Sequence, residues 1–150
     1  MKKGRNITFG ILAILISLVG VSWLYQHSRT LSTIKASVGE WTDSDFNTRD
    51  ITRVHIRRDG GQVIVHVWGR CHPTECDWGE VTAKASGSVL LATWDQKFAI
   101  KTQELRPFSD GSLQLTTHTH FTDNSGRQDY DTKSTFAKGL VHDWNEPTPK

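Results

Sequence analysis

The chain is poor in cysteine and lacks the short motifs that mark common catalytic sites. It has two cysteines among its 150 residues. It contains no G-x-S-x-G, no H-E-x-x-H and no glycine-rich loop that would cradle a phosphate. We therefore assign no catalytic residue and no cofactor. A function other than catalysis is favoured, and activity is left open.

The chain also lacks the basic surplus that is typical of proteins that bind nucleic acids. Its net charge is +2, from 18 basic and 16 acidic residues. Three of the basic residues, Lys2, Lys3 and Arg5, lie before a long uncharged run. Beyond that run there are 15 basic and 16 acidic residues. We therefore predict that the folded part does not bind nucleic acid.

Only one long apolar run is present, from Ile7 to Tyr25. A helix of that length would span about 28 Å, close to the thickness of a bilayer core. The basic residues before it predict a cytoplasmic N-terminus. A cleaved signal peptide is the alternative, but no small-residue cleavage site follows the run. No cysteine lies directly after it either, which argues against lipoprotein processing. We predict an uncleaved single-pass anchor in the cell membrane, with the rest of the chain periplasmic or extracellular.

The remaining sequence divides into three parts. Residues 26–38 are polar and predict a tether between the anchor and a domain. Residues 39–138 have the length of one domain. Residues 139–150 predict a loose tail, in which Val141 and Trp144 could dock on the domain.

Residues 39–138 alternate with a period of two, which indicates β-strands rather than helices. Arg53–Arg57 alternates polar and apolar residues, and Asp59-Gly60-Gly61 predicts a tight hairpin turn. Residues 62–68 are almost all β-branched or aromatic, which predicts a strand covered on both faces. We count about eight strands joined by short turns. The prediction is an all-β, up-and-down antiparallel barrel, with a β-sandwich as the alternative.

The two cysteines, Cys71 and Cys76, lie five positions apart. Outside the cytoplasm such a pair predicts a disulfide, and Pro73 favours the turn that would bring the two residues together. A metal site that includes His72, or free redox-active thiols, are the alternatives. Zinc sites and thiol oxidoreductases usually use C-x₂-C, whereas this spacing is C-x₄-C.

The residues around the second cysteine predict a ligand-binding rim. A stapled loop would present His72, Glu75, Asp77 and Trp78 at one end of the barrel, where the indole could stack on a planar or sugar ligand. In the alternative, Trp78 begins the next strand and packs into the core. The same choice between ligand stacking and core packing is open for Trp41, Trp68 and Trp94.

His118 and His120 are two positions apart on a predicted strand and share one face. The other face looks like the core side and carries Leu113, Leu115, Thr117, Thr119 and Phe121. A metal site at the two histidines would need a third ligand such as His55 or His66. Two solvent-facing histidines are the alternative, so these residues are only weak metal candidates.

Several stretches resemble known families. Gly39-Glu40-Trp41 resembles the G-x-W start of lipocalin-like and avidin-like barrels, and Asp131–Lys138 resembles the last strand of avidins. The stretch WGRCHPTECDWG, with TRDITRVHI before it and FTDNSGRQDY after it, resembles small uncharacterised bacterial exported domains. These resemblances imply a small barrel outside the cytoplasm, and they carry no site residue over to this chain.

The function that these patterns predict is binding by a membrane-anchored extracytoplasmic domain. Its partner at the barrel rim would be a small ligand, an envelope glycan or another protein. An accessory subunit of a membrane complex is one alternative. A metal-dependent or hydrolytic enzyme that uses His118 and His120 is the other.

Overall fold

A computed structural model describes residues 5–71, 74–140, 142 and 144, with side chains from Gly20 onward. It contains one helix, α1 (Arg5–Ser37), and eight strands. The strands are β1 (Gly39–Asp43), β2 (Ile51–Asp59), β3 (Gln62–Gly69), β4 (Cys76–Ser86), β5 (Val89–Asp95), β6 (Ala99–Pro107), β7 (Leu113–Phe121) and β8 (Tyr130–Lys138).

Helix α1 continues through residues 26–37, where the sequence predicted a polar tether. The hydroxyl groups in this part bond to carbonyls of the preceding turn, as in Thr30 to Gln26 at 3.0 Å and Ser37 to Thr33 at 2.9 Å. These bonds satisfy the hydroxyl groups, while the contacts of Thr33, Ile34 and Ser37 with the barrel hold the segment in its helical form. Most of the predicted anchor, residues 7–19, has side chains outside the described part. Where side chains are described, no helix has the length and apolarity needed to cross a bilayer.

The eight strands pair in chain order and close into an antiparallel barrel, because β1 pairs with both β2 and β8. The predicted barrel is therefore confirmed, and the β-sandwich alternative is wrong. Gly60 and Gly61 form the predicted two-residue turn between β2 and β3, both with positive φ. Strand β3 buries only one face, since Ile64, His66 and Trp68 on its outer face are half-exposed.

The two ends of the barrel differ. The turns after β2, β4 and β6 lie at one end together with α1, and we call this the helix end. The loops after β1, β3, β5 and β7 lie at the other end, which we call the mouth. The disulfide-containing loop between β3 and β4 belongs to the mouth.

The interior near the helix end is an apolar core. Its fully buried members include Val54, Ile56, Val65, Leu90, Leu105, Leu113, Leu115 and Phe136. Alternation places these residues on the inner face of their strands, while charged residues such as Arg57 and Lys84 lie on the outer face. Burial of each large aliphatic side chain contributes about 1.5–3 kcal/mol, so this half of the barrel supplies most of the stability.

Helix α1 closes the helix end. Ile34 packs against the core, and the Thr33 hydroxyl donates to the Gly87 carbonyl at 2.9 Å in the turn after β4. The buried Trp41 indole donates to the Ser37 carbonyl at 2.7 Å. These contacts fix the last helical turns to the barrel and leave the mouth as its open end.

The start of the predicted tail docks on the barrel wall. Trp144 is buried, its carbonyl accepts a hydrogen bond from Arg70, and the Leu140 carbonyl accepts one from Thr42. Val141 and residues 145–150 lie outside the described part.

Candidate ligand site at the barrel mouth

The barrel interior becomes polar toward the mouth. On β6 the inward series runs from Leu105 through Gln103 to Lys101, and on β7 Leu115 is followed by Thr117 and Thr119. Gln103 and Thr117 are direct partners across the two strands. We call Gln103, Thr117 and Thr119 the polar layer.

The polar layer is almost completely shielded from solvent. Its members are 0–1 % exposed. Within the described chain, the two amide atoms of Gln103 and the hydroxyl oxygens of Thr117 and Thr119 have no hydrogen-bond partner. A buried polar group without a partner costs about 1–3 kcal/mol. This layer is thus the most costly polar feature of the interior.

A cavity of about 730 Å³ opens at the mouth. Two of its lining residues, Lys101 and Thr132, are the direct strand partners of Thr119 and Thr117 in the polar layer. That volume lies in the usual range for small-molecule sites, about 300–1,000 Å³. Its lining contains aromatic, cationic and acidic side chains and the disulfide: Trp78, Phe98, Tyr130, Arg49, Arg70, Lys101, Asp50, Asp77, Cys71 and Cys76. We call it the mouth cavity.

A β-bulge brings Trp78 to this cavity. His66 pairs with Glu80, and Trp68 pairs with Asp77. Between these two pairs β4 has one residue more than β3, which defines a bulge. Gly79 supplies the extra residue with φ of 78°, a conformation that glycine adopts readily. The bulge lets Asp77 face outward beside His66 while Trp78 faces inward. Strict alternation from Glu80 would have turned Trp78 outward.

Trp78 belongs to both predicted environments. It is half-buried, packs against the core and meets Trp94 edge to face, with 6.4 Å between ring centroids. It also lines the mouth cavity, where the Lys101 ammonium lies 4.5 Å from its ring centroid. Gly69 leaves room for the indole, since a Cβ at that position would lie 2.8 Å from Trp78 Nε1. The two interpretations therefore do not exclude each other.

The predicted disulfide between Cys71 and Cys76 is confirmed, with 5.5 Å between their Cα atoms. It excludes the thiol-based metal site and the free thiols. Asp77 also lines the mouth cavity. His72 and Pro73 lie outside the described residues, so the structure does not place the imidazole of His72.

Glu75 lies away from the mouth cavity. Its carboxylate accepts three hydrogen bonds from Arg53, at 3.1 and 3.0 Å from Nε and 2.7 Å from Nη2, and one from the buried Thr52 hydroxyl. It lines a second cavity of about 460 Å³ on the outer wall, beside Trp68 and Trp144. Arg53 covers one face of Trp68 and His66 stacks on the ring, so this indole offers little surface for stacking a ligand.

Asp77 is held as a carboxylate by its neighbours. The Gly79 N–H donates to Oδ1 at 2.7 Å, and His66 Nε2 lies 2.5 Å from the same oxygen. Both bonds lower the pKa of Asp77, and the bond from Gly79 has the larger effect. The carboxylate therefore stabilises the bulge that turns Trp78 to the inner face of the barrel.

Acidification should loosen this bulge. A carboxyl with a lowered pKa in the folded state contributes stability at pH values above its unfolded pKa, about 3.9. That contribution is lost as the pH falls through the folded pKa. We expect the free energy of unfolding to fall more steeply below pH 4 in the native chain than in Asp77→Asn. Denaturant titrations between pH 2 and 6 would measure it, and parallel slopes would contradict the role of Asp77.

His118 and His120 face solvent on the outer face of β7, and both side chains are more than half exposed. Each pairs with an aspartate: His118 Nδ1 with Asp131 at 2.6 Å, and His120 Nδ1 with Asp129 at 2.7 Å. The pKa of Asp129 is lowered, and the hydrogen bond from His120 is the largest cause.

The suggested third ligands, His55 and His66, lie on β2 and β3, which do not neighbour β7. Over the described ranges of the chain, no group of three or more His, Cys, Asp or Glu side chains is arranged to hold a metal ion.

Comparisons with protein-family models, with curated proteins and with solved structures found no match.

The sequence prediction missed the polar layer and Lys101. The signal was present, because lysine, glutamine and threonine occupy inward positions of β6 and β7. Thr117 and Thr119 were correctly placed on the core side. Their significance depends on having no partner across the closed barrel, which a sequence pattern does not reveal.

Proposed function

We propose that this chain is a membrane-anchored extracytoplasmic binding protein, and that its barrel mouth holds one small molecule. The polar layer carries the proposal, because its unpartnered amide and hydroxyl groups are strand neighbours of Lys101 and Thr132, which line a cavity of ligand size.

The polar layer has no evident role in packing. Leucine or valine at Gln103, Thr117 and Thr119 would fill similar volumes without leaving polar atoms unpartnered. A ligand in the mouth would supply the missing hydrogen bonds and offset their cost. Binding sites typically combine apolar and aromatic surface with convergent polar groups, and the mouth cavity combines three aromatic rings with charged side chains.

The anchor is the second part of the proposal. It rests on the apolar run from Ile7 to Tyr25 and on the basic residues before it. A disulfide is the expected state of paired cysteines in an oxidising compartment, and the bond between Cys71 and Cys76 agrees with a domain outside the cytoplasm.

A fluorinated fragment library, screened by ¹⁹F NMR against the full chain in lipid nanodiscs, tests the proposed site. Empty nanodiscs correct for binding to lipid. Thr132, which lines the mouth cavity, is replaced by tryptophan to fill it. Thr135, exposed on the same strand, receives the same substitution as a matched control.

We expect fragments that bind the native chain and Thr135→Trp but not Thr132→Trp. Thermal melting checks that both variants are folded. Fragment binding that persists in a folded Thr132→Trp, or a library without a single hit on the native chain, would overturn the proposal.

A further inference from the structure

We infer that the molecule in the mouth carries an oxyanion, such as a carboxylate or a phosphate, which points into the barrel toward Lys101 and the polar layer. This inference rests on the proposed function of the mouth. It adds the chemical class of the ligand and the direction in which the ligand enters.

Lys101 is a cation inside a barrel without a matching anion. Its side chain lies on the inner face of β6, one inward position from the buried Gln103. Among the residues that the structure describes, no carboxylate lies within 4.0 Å of its ammonium. Its close neighbour is the face of Trp78. A cation–π contact attracts an ammonium but leaves its charge available to an anion.

The groups around Lys101 can donate hydrogen bonds. Thr119 is its direct partner across the strands, and Gln103 and Thr117 form the next pair deeper in the barrel. An amide N–H₂ and two hydroxyls together offer several donors. Charge-assisted hydrogen bonds to an oxyanion are stronger than neutral ones. This combination of one ammonium and several buried donors suits an oxyanion better than a neutral or cationic group.

The acidic residues of the mouth are already engaged. Asp50 accepts a hydrogen bond from the Thr132 hydroxyl, and Asp77 is bound by His66 and the Gly79 N–H. Asp43 is buried and does not line the mouth cavity. The lining of the mouth cavity has three cationic side chains, Arg49, Arg70 and Lys101, and two acidic ones, so a cationic excess remains.

The rim differs from the interior, and this difference orients the ligand. Phe98 and Tyr130 are 45 % and 46 % exposed at the edge of the mouth cavity. Exposed aromatic rings favour contact with an apolar or planar body. The anionic head would lie deep in the barrel and the body would lie against the rim.

Two probes that share a ring and differ in charge test the inference: 4-(trifluoromethyl)benzoate and 4-(trifluoromethyl)benzamide. We expect the native chain in nanodiscs to bind the benzoate more tightly by ¹⁹F NMR titration. Lys101→Gln should weaken benzoate binding by about tenfold or more, as expected for a charge-assisted hydrogen bond, and leave the benzamide unchanged. Lys101→Arg should keep most of the preference, and 0.5 M salt should reduce it.

Lys84→Gln is the matched control, since Lys84 is exposed on the outer face of β4. A third probe, 4-(trifluoromethyl)phenylphosphonate, distinguishes a phosphate-like head from a carboxylate, and tighter binding of either anion than of the amide supports the inference. The inference would be overturned if neither anion bound more tightly than the benzamide, or if the affinity of the tighter anion were unchanged in Lys101→Gln. Fragments that still bind the mouth would then leave the proposed function standing, whereas a mouth without any fragment bound would remove both.

Discussion

Replacing Gln103 with leucine should raise the free energy of unfolding by about 1–3 kcal/mol and weaken binding in the mouth. The Gln103 side chain is fully buried, and neither of its amide atoms has a partner among the described residues. Leucine has a similar volume and removes both polar atoms while it extends the apolar core formed by Leu105 and Leu115. A stabilising substitution that removes binding is the expected mark of a residue retained for function.

Denaturant unfolding of the full chain in nanodiscs measures the first effect, and the ¹⁹F titration measures the second. Gln114→Leu provides the matched control, because Gln114 lies half-exposed on the outer face of β7. We expect a change within about 0.5 kcal/mol there. A Gln103→Leu variant less stable than the native chain would mean that the amide is bonded in the folded protein, and would remove the main support for the site.

Replacing Trp78 with alanine should lower the free energy of unfolding by about 2–4 kcal/mol and also weaken probe binding. The ring packs against Trp94 and beside Gly69, so its loss leaves a void at the edge of the core. The same ring forms part of the mouth cavity and supports the Lys101 ammonium. Both effects follow from the bulge that turns this side chain inward.

Trp68→Ala separates these two effects. Trp68 is also half-buried, but it lies on the outer face of β3 between Arg53 and His66. We expect its removal to lower stability and to leave probe binding in the mouth unchanged. If Trp78→Ala bound the probes as well as the native chain does, Trp78 would be a packing residue only.

The barrel itself could be predicted from sequence because its determinants are local. Alternation along β2 and β7 identifies the inner face, and the turn residues Gly60, Gly61 and Gly87 separate the strands. Short connections between antiparallel strands leave few topologies. Closure follows as a way to pair the two edge strands.

The orientation of Trp78 could not be predicted in this way. One extra residue in a strand reverses the face of every residue beyond it. Gly79 in the run Cys76–Glu80 is compatible with a bulge, but glycine also occurs in turns and at strand ends, so the residue type alone does not fix the face of Trp78. The step from two residues on β3 to three on β4 is visible only once the strands are paired.

The helical structure of residues 26–37 was missed for a different reason. Serine and threonine have modest helix propensity, so the segment has the composition of a linker. Its hydroxyls bond within the helix, and Ile34 reaches the apolar core. Tertiary packing therefore decides the conformation of this segment, and a composition count does not include that packing.

The docking of α1 at the closed end has a consequence for the ligand's route. Gln26–Ser37 adds about 18 Å of helix beyond the proposed anchor, and nine-residue strands tilted in a barrel add about 20 Å. The mouth would then stand up to about 40 Å from the bilayer surface and face away from it. Ligand would arrive from the aqueous compartment rather than by lateral diffusion through lipid, so its concentration in solution would set the occupancy of the barrel.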